Sequence, residues 1–263
     1  VDSDFDGMGT VAPTSAADAA AAEAEPVSDD VPLDAWQDRG YVPFSRHPLD
    51  LPSRLGRPGP GDIGALRLLA SPGEYEAGTL AVWALRAQSE VMVSVSDLAG
   101  DAGAIASDCI DVRVVRYLAG LPSFLEKRSS VRIPSGQTQT FWLTVHVPPE
   151  ATPGFYRGTV TVTPTGGTRT EVDLLLRVLP LDLPAPSKGY GFWWAMDGRW
   201  KGYYSDDRRA ALEQIRKQFV LLREHGCNTV SYPGLPKMTS AKDGAARYDF
   251  AQDHWGHRPF SFA

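Results

Sequence analysis

Cysteine is scarce in this 263-residue sequence, which holds only Cys109 and Cys227. Cys109 falls in the middle of a strand-rich region and Cys227 at the start of a later strand, so their spacing predicts neither a disulfide framework nor a metal-binding pair. The sequence also lacks a Gly-x-Ser-x-Gly elbow, a His-Glu-x-x-His helix and a phosphate-cradling loop. Acyl transfer, zinc proteolysis and nucleotide hydrolysis therefore have no support, and we expect no cofactor.

Long apolar runs and clusters of positive charge are missing as well. The stretch from Val172 to Leu181 is interrupted by Asp173, Arg177 and Pro180, well short of the roughly 20 apolar residues that a membrane-spanning helix needs. The net charge is −6, with no run of Lys or Arg. These features argue against a nucleic-acid or membrane partner and favour a neutral ligand.

Residues 1–34 have almost no aromatic or β-branched side chains, which predicts a disordered or linker tail. Within this tail, the segment from Asp4 to Val11 resembles a calcium-binding loop, in which alternate carboxylates surround one cation. Met8 replaces an oxygen ligand, and Ser15 stands where a bidentate carboxylate is required. A solvated acidic tail is favoured over a calcium site. Because the chain begins with Val1 and shows no signal-peptide pattern, we expect its start to be processed or truncated.

Residues 35–180 read as an antiparallel, immunoglobulin-like β-sandwich. The first part, to about residue 65, is broken by prolines and is expected to be an irregular loop that wraps the domain. From Ala65 to Leu179 apolar residues recur with a period of two, as half-buried strands require. Short turns link the last strands into an expected antiparallel meander. The clearest strands are Leu80 to Leu85, Val91 to Ser96, Ile110 to Val114, Phe141 to Val147, Phe155 to Val162 and Val172 to Leu179.

The pattern changes after a proline-rich linker at residues 181–188. Gly191 to Met196 is a compact apolar strand, and Leu212, Ile215, Phe219 and Leu222 recur with helical spacing. A second strand follows the helix stop at His225 and Gly226, so residues 189–232 predict one βαβ unit with parallel strands. Residues 189–263 are therefore expected to be the incomplete start of a (β/α)8 TIM barrel.

Several phrases of the sequence resemble the N-terminal sandwich of glycoside hydrolase family 123 and its bacterial relatives. They are Ser71-Pro-Gly-Glu-Tyr-Glu76, Val95-Ser-Asp-Leu98, Trp142-Leu-Thr-Val-His-Val-Pro148, Ala151-Thr-Pro-Gly154 and Tyr156-Arg-Gly-Thr-Val160. Gly189-Tyr-Gly-Phe-Trp-Trp194, followed by a helix and Gly226-Cys-Asn228-Thr, resembles the first βαβ unit of that family's barrel. Phrases of this kind are common in exported bacterial proteins, so an extracellular or periplasmic location is expected.

The resemblance implies a retaining β-N-acetylgalactosaminidase that uses the acetamido oxygen of its substrate as the nucleophile, oriented by one of two adjacent carboxylates, Asp then Glu. No Asp-Glu dipeptide occurs in these 263 residues. The catalytic pair is then expected on a later barrel strand outside this chain. We assign no catalytic residue to the chain and expect it to be inactive alone.

Four residues are candidates for contact with a carbohydrate substrate: Trp193, Trp194, Asp197 and Tyr232. They lie near the C-terminal ends of the first two predicted barrel strands, where barrel enzymes build their sites. An aromatic ring can stack on a sugar, and a carboxylate can accept its hydroxyl hydrogen bonds. The alternative for each Trp is packing between strand and helix.

Other candidates are weaker. Trp83, Trp142 and His146 lie on sandwich strands, where they form a glycan-binding face unless Trp142 packs against the barrel or the wrapping loop. His254 and His257 lack a helical pattern that would place both imidazoles on one face, so no metal site is expected.

Two interpretations of the whole protein remain open. The first is a glycoside hydrolase, and the second is a non-catalytic sandwich for glycan binding or surface assembly. In either case two parallel strands leave an uncovered sheet edge, so the remainder of the protein or another copy is expected to cover residues 189–263.

Overall fold

The computed structural model of the chain describes residues 31–59, 61–101, 103–118, 120–184, 191–193, 208–231, 237–240, 246–250 and 257–259. The chain divides into two compact units, with the boundary between Leu183 and Pro184. The described residues up to Leu183 form the larger unit, which is a β-sandwich, as predicted. The described residues from Pro184 onward form the smaller unit. The predicted tail at residues 1–34 lies almost wholly outside the described residues.

Sheet A is the first layer of the sandwich, and its described strands all pair antiparallel. In spatial order they are β1 (Tyr41–Phe44), β3 (Tyr75–Ala84), β10 (Thr138–His146), β7 (Ile110–Leu118) and β8 (Leu121–Glu126). The prediction of a purely irregular segment at residues 35–65 is wrong at β1. Proline has no backbone N–H to donate to a neighbouring strand. Pro43 is tolerated in β1 because β1 is an edge strand, which has a neighbour on one side only.

Sheet B is the second layer and is mixed. In spatial order its strands are β2 (Leu66–Ala70), β12 (Thr170–Val178), β11 (Gly154–Thr163), β4 (Gln88–Val95) and β9 (Val131–Ile133). Strand β5 (Leu98–Gly100) also pairs with β11, and β6 (Gly103–Ile105) pairs with β5. Strand β2 runs parallel to β12. The expectation of a wholly antiparallel sandwich is therefore wrong at this pair.

The predicted terminal meander is also only partly right. Strands β11 and β12 form the expected hairpin, but β10 pairs with β3 and β7 in the other sheet. Pro148 and Pro149 follow β10 in the linker that passes from sheet A to sheet B. A segment with two prolines favours such a crossing because it cannot continue a ladder of hydrogen bonds.

The main core lies between the two sheets and follows the period-two pattern of the sequence. In β10 the alternate residues Leu143 and Val145 are fully buried, and in β12 Leu174 and Leu176 are buried opposite them. Each such side chain contributes about 1.5–3 kcal/mol when it leaves water. The opposite residues of each strand form the two outer faces of the sandwich.

The smaller unit contains β13 (Gly191–Trp193), α1 (Arg208–Glu224) and β14 (Thr229–Ser231), with β13 and β14 paired in parallel. These elements match the predicted βαβ order. Strand β17 (His257–Pro259) pairs antiparallel with β14, and β15 (Lys237–Ser240) forms a hairpin with β16 (Ala246–Phe250). A (β/α)8 barrel is built from parallel strands. No such barrel is evident in the described part of this unit.

Candidate functional site

The predicted sugar-contacting residues lie around the C-terminal ends of β13 and β14. Trp193 is the last residue of β13, and its backbone pairs with Ser231, the last residue of β14. The side chain of Trp193 lies outside the described part of the structure, as do Trp194, Asp197 and Tyr232. The proposed contacts of these four residues with substrate therefore stay predictions.

Trp83 does not contribute to an open glycan-binding face. It lies on the outer side of sheet A, where it is 6% exposed and packs with Val42, Phe44 and Ala81 beneath residues 33–63. The guanidinium of Arg57 stands 5.3 Å from the centre of its ring. The segment that was predicted to wrap the domain therefore forms a second, smaller core on this face.

Asp62 anchors this wrapping segment. Its Oδ2 accepts hydrogen bonds from Arg46 Nε at 2.9 Å and from the backbone N–H of Gly59 at 2.8 Å. Arg46 also donates to the carbonyl of Arg57 at 2.6 Å. Charge-assisted bonds are among the strongest that a protein makes, so this one carboxylate holds both ends of the loop.

The remaining outer face of sheet A is partly open. Trp142 is half-buried and lies between Thr79 on β3 and Arg113 on β7. His146 stacks on Tyr75, with ring centres 4.2 Å apart and an angle of 9° between the planes. Because the two rings cover one another, this His–Tyr pair offers less aromatic surface to a ligand than the sequence suggests.

A shallow cavity of about 380 Å³ lies on the outer face of sheet B. It is lined by Ala99, Gly100, Asp101, Phe155 and Arg157. Phe155 is 65% exposed, although it is a large apolar side chain on a regular strand. The guanidinium of Arg177 lies 5.5 Å from the centre of its ring. The cavity thus combines the aromatic ring of Phe155 with the carboxylate of Asp101 and the guanidinium of Arg157.

The cavity arises from the local geometry of β5 and β11. Tyr156 points into the core and is 3% exposed, so its neighbours Phe155 and Arg157 point outward. Gly100 is required beside it, because a Cβ there would lie 2.8 Å from Cδ1 of Tyr156. The hydroxyl of Tyr156 donates to the carbonyl of Thr152 at 2.7 Å. The phrase Pro153-Gly-Phe-Tyr-Arg-Gly158 therefore has a structural explanation on its inward side and leaves a ligand-sized space on its outward side.

Phe155 and Arg157 line the cavity but are not among the candidate residues predicted from the sequence. The sequence does indicate the position of Phe155. Tyr156, Val160 and Val162 lie an even number of residues apart and point into the core, so the aromatic side chain at position 155 lies on the outer face. The contribution of Asp101 carries no comparable signal, since it depends on β5 pairing with β11 across more than fifty residues.

Two titratable groups of sheet A, Glu76 and Tyr117, have raised pKa values. Burial and the nearby Glu74 raise the pKa of Glu76, and the charge of His47 opposes this. Glu74 itself accepts a hydrogen bond from the backbone N–H of Ser71 at 2.7 Å and so closes a turn. Burial raises the pKa of Tyr117, against its hydrogen bond to Thr140. None of these groups faces the cavity on sheet B.

The described residues contain neither a metal-ligand cluster nor a membrane-spanning helix. Among the described residues, no three His, Cys, Asp or Glu side chains come together as a metal site. His254, one of the two histidines considered from the sequence, lies outside those residues, and so does the calcium-like segment near the N-terminus. The described helix is neither long nor apolar enough to span a membrane.

Comparison with known proteins identifies a relationship for the sandwich. The model of the glycoside hydrolase 123 N-terminal domain matches residues 119–164, which span β8 to β11. A solved family 123 glycoside hydrolase from Clostridium perfringens, studied for glycolipid glycan hydrolysis, has a TM-score of 0.55 and 18% identity. The match covers 68% of this chain and 34% of that one. The predicted resemblance to glycoside hydrolase family 123 is confirmed.

Two further structures share less. A GH5 xyloglucanase from Bacteroides ovatus has a TM-score of 0.27 and 12% identity, covering 70% of this chain and 28% of its own. The periplasmic chaperone SfaE has a TM-score of 0.28 and 14% identity, covering 49% and 63%. A search of the curated proteins finds no match. This chain spans about a third of the length of the solved family 123 hydrolase.

Proposed function

We propose that this chain is the N-terminal part of a glycoside hydrolase that acts on glycans containing N-acetylhexosamine, in particular β-N-acetylgalactosaminides. The observation that carries the proposal is the family 123 match at residues 119–164, supported by the shared fold of the solved hydrolase. The enzyme would work outside the cytoplasm, in the extracellular space or the periplasm.

The proposed mechanism is retaining and substrate-assisted. The acetamido oxygen of the substrate attacks the anomeric carbon, while a carboxylic acid donates a proton to the leaving oxygen. Water then opens the cyclic intermediate from the other side, which restores the original configuration. The Asp-Glu pair that orients the acetamido group and supplies the proton lies outside these 263 residues, since the sequence contains no such dipeptide.

The smaller unit would start the catalytic barrel. Its parallel β13 and β14 supply the first strands, and Trp193, Trp194, Asp197 and Tyr232 would contact the sugar near their C-terminal ends. The rest of the protein, or another copy of it, would cover residues 189–263. The sandwich would support this barrel without taking part in bond cleavage.

The test compares the natural protein that contains this chain with the 263-residue chain alone. Both are assayed with 4-nitrophenyl β-N-acetylgalactosaminide, its α-anomer and the matched β-galactoside, which lacks the acetamido group. We expect turnover only by the longer protein and only with the first substrate, with the β-anomer appearing first by proton NMR. Equal turnover of the β-galactoside would contradict substrate assistance, and turnover by the chain alone would contradict the placement of the catalytic pair.

The second candidate function is a non-catalytic glycan-binding or surface-assembly sandwich. The observation that favours it is the cavity around Phe155, which lies entirely on the larger unit. The two functions differ in the sequence of the natural protein: an Asp-Glu pair on a barrel strand favours the enzyme, and its replacement favours the binding module.

A further inference from the structure

Phe155 is an exposed aromatic residue on a regular strand. It sits on β11, where its backbone pairs with Arg177 of β12, and that residue pairs in turn with Leu69 of β2. The guanidinium of Arg177 lies 5.5 Å from the ring centre, within the range of a cation–π contact. The ring of Phe155 thus contacts one cation and keeps 65% of its surface open to solvent.

Two polar groups of opposite charge line the same cavity. Neither the carboxylate of Asp101 nor the guanidinium of Arg157 has a hydrogen bond or ion pair within the described residues. Ala99 of β5, which pairs with Arg157, contributes only a methyl group, so a ligand can approach the backbone of β5 closely. The cavity therefore brings together a hydrogen-bond acceptor in Asp101, several donors in Arg157 and the apolar ring of Phe155, in a space large enough for one small molecule.

We propose that this cavity is a second carbohydrate-binding site, which holds one neutral pyranose ring of a glycan. The C–H face of the sugar would pack on Phe155, a hydroxyl would donate to Asp101, and Arg157 would donate to a ring, hydroxyl or acetamido oxygen. The choice of a saccharide over other small polar molecules rests on the proposed function. The choice of a neutral sugar rests on the two charges that line the cavity, because the carboxylate of Asp101 and the guanidinium of Arg157 have opposite signs; the guanidinium of Arg177 contacts the ring of Phe155 but does not line the cavity.

The site would serve attachment rather than cleavage. All of the residues that line it belong to the larger unit, whereas the proposed sugar contacts of the barrel belong to the smaller unit. A site of this size binds a single sugar weakly, with a dissociation constant on the order of 1 mM. Tethered to a catalytic site, such weak binding would still raise the local concentration of a polymeric glycan.

The experiment measures binding of single sugars to the 263-residue chain by saturation-transfer and chemical-shift NMR. The panel contains N-acetylgalactosamine, N-acetylglucosamine, galactose and glucose, with glucuronic acid and N-acetylneuraminic acid as charged sugars. We expect at least one neutral sugar to bind near 1 mM. F155A should weaken it by about tenfold or more, and D101N by about threefold to tenfold.

M92A is the matched control. Met92 is 44% exposed on β4 of the same sheet and does not line the cavity, so its removal should leave binding unchanged. Thermal unfolding checks that each variant folds, and D101N keeps the test valid if F155A does not fold. Absence of binding by every sugar, unchanged binding by both cavity variants, or binding of charged sugars alone would each overturn the proposal.

The outcome is independent of the hydrolase assay. In the natural protein, F155A should reduce retention on an immobilised glycan, and M92A should leave this retention unchanged. Sugar binding without hydrolysis would contradict the proposed enzyme and keep this site. Hydrolysis without sugar binding by the chain would remove this site and keep the enzyme.

Discussion

The hydroxyl of Tyr41 on sheet A lies 2.7 Å from the hydroxyl of Thr170 on sheet B. It also lies 2.7 Å from the carbonyl of Thr168. Because a phenol carries one proton, Tyr41 donates to the carbonyl and accepts from Thr170. Burial raises the pKa of Tyr41, and the bond from Thr170 opposes this, so the phenol stays protonated at neutral pH. One side chain thus joins the edge strand of one layer to the other layer.

Replacing Tyr41 with Phe should lower the stability of the sandwich by about 1–3 kcal/mol. The variant keeps the ring but leaves the Thr168 carbonyl and the Thr170 hydroxyl without this partner. Urea unfolding followed by circular dichroism measures the difference. Tyr156→Phe is the control, because it removes a bond to Thr152 within four residues, and it should cost less. An equal loss in both variants would contradict the role of Tyr41 as an inter-sheet contact.

Gly158 marks the point where β4 ends and β5 begins along β11. A Cβ at this position would lie 2.5 Å from Cδ2 of Leu98 and 2.9 Å from the carbonyl oxygen of Asp97. The backbone oxygen cannot turn away as a flexible side chain can, so Gly158→Ala should cost about 2–4 kcal/mol. Thermal unfolding should show the loss, whereas Gly59→Ala should have little effect because its Cβ would meet only Asp62 Oδ2 at 3.5 Å.

Asp62→Asn should loosen the wrapping segment over sheet A. The change removes the charge that faces Arg46, in a pair whose side chains are 16% and 21% exposed, and should cost about 1–3 kcal/mol. Trypsin should then cleave after Arg54 faster than in the unmodified protein. Asp111→Asn is the matched control, since its pair with Arg113 is 35–38% exposed and should contribute less than about 1 kcal/mol. Equal rates of tryptic cleavage in Asp62→Asn and Asp111→Asn would contradict this prediction.

Glu76 predicts a pH dependence with a defined sign. Burial first, and then the charge of Glu74, raise its pKa, so the folded protein binds this proton more tightly than the unfolded chain. Its contribution to stability is therefore full below its ordinary pKa and is lost as the pH rises through the raised value. Glu76→Gln should be more stable than the unmodified protein at pH of about 7, by up to about 0.5 kcal/mol, and this gain should shrink near pH 4.

Chemical unfolding at several pH values measures the effect of Glu76→Gln. Glu150→Gln, which changes an exposed carboxylate, serves as the control and should show no such trend. A gain that grows toward acid pH would show that the sign is wrong.

The strands could be predicted from the sequence where apolar and polar residues alternate and a short turn follows. The hairpin of β11 and β12 is the clearest case, because the turn after Pro164 joins two alternating runs. Alternation shows which side chains point inward, but it does not show which sheet a strand joins. For this reason β10 was placed beside β11, although the two strands lie in opposite layers.

The functional surfaces were less predictable. Trp83 reads as an outward residue of a strand, but its burial depends on the packing of residues 33–63, which have no regular pattern. The outward position of Phe155 can be predicted because its neighbour in the chain, Tyr156, points inward. The position of Asp101 beside Phe155 cannot, because it depends on the pairing of β5 with β11, which no local sequence pattern encodes. The four predicted contacts near β13 and β14 remain predictions.

The parallel pairing of β2 with β12 constrains how the protein can be made. Residue 66 pairs with residue 174, so about one hundred residues must leave the ribosome before β2 finds its partner. During this interval the apolar inner face of β2 needs temporary cover, and closure of so long a loop slows folding. A chain released before Val178 would leave sheet B without its second strand from the edge, so we expect nascent sandwiches to depend on chaperones until synthesis passes this point.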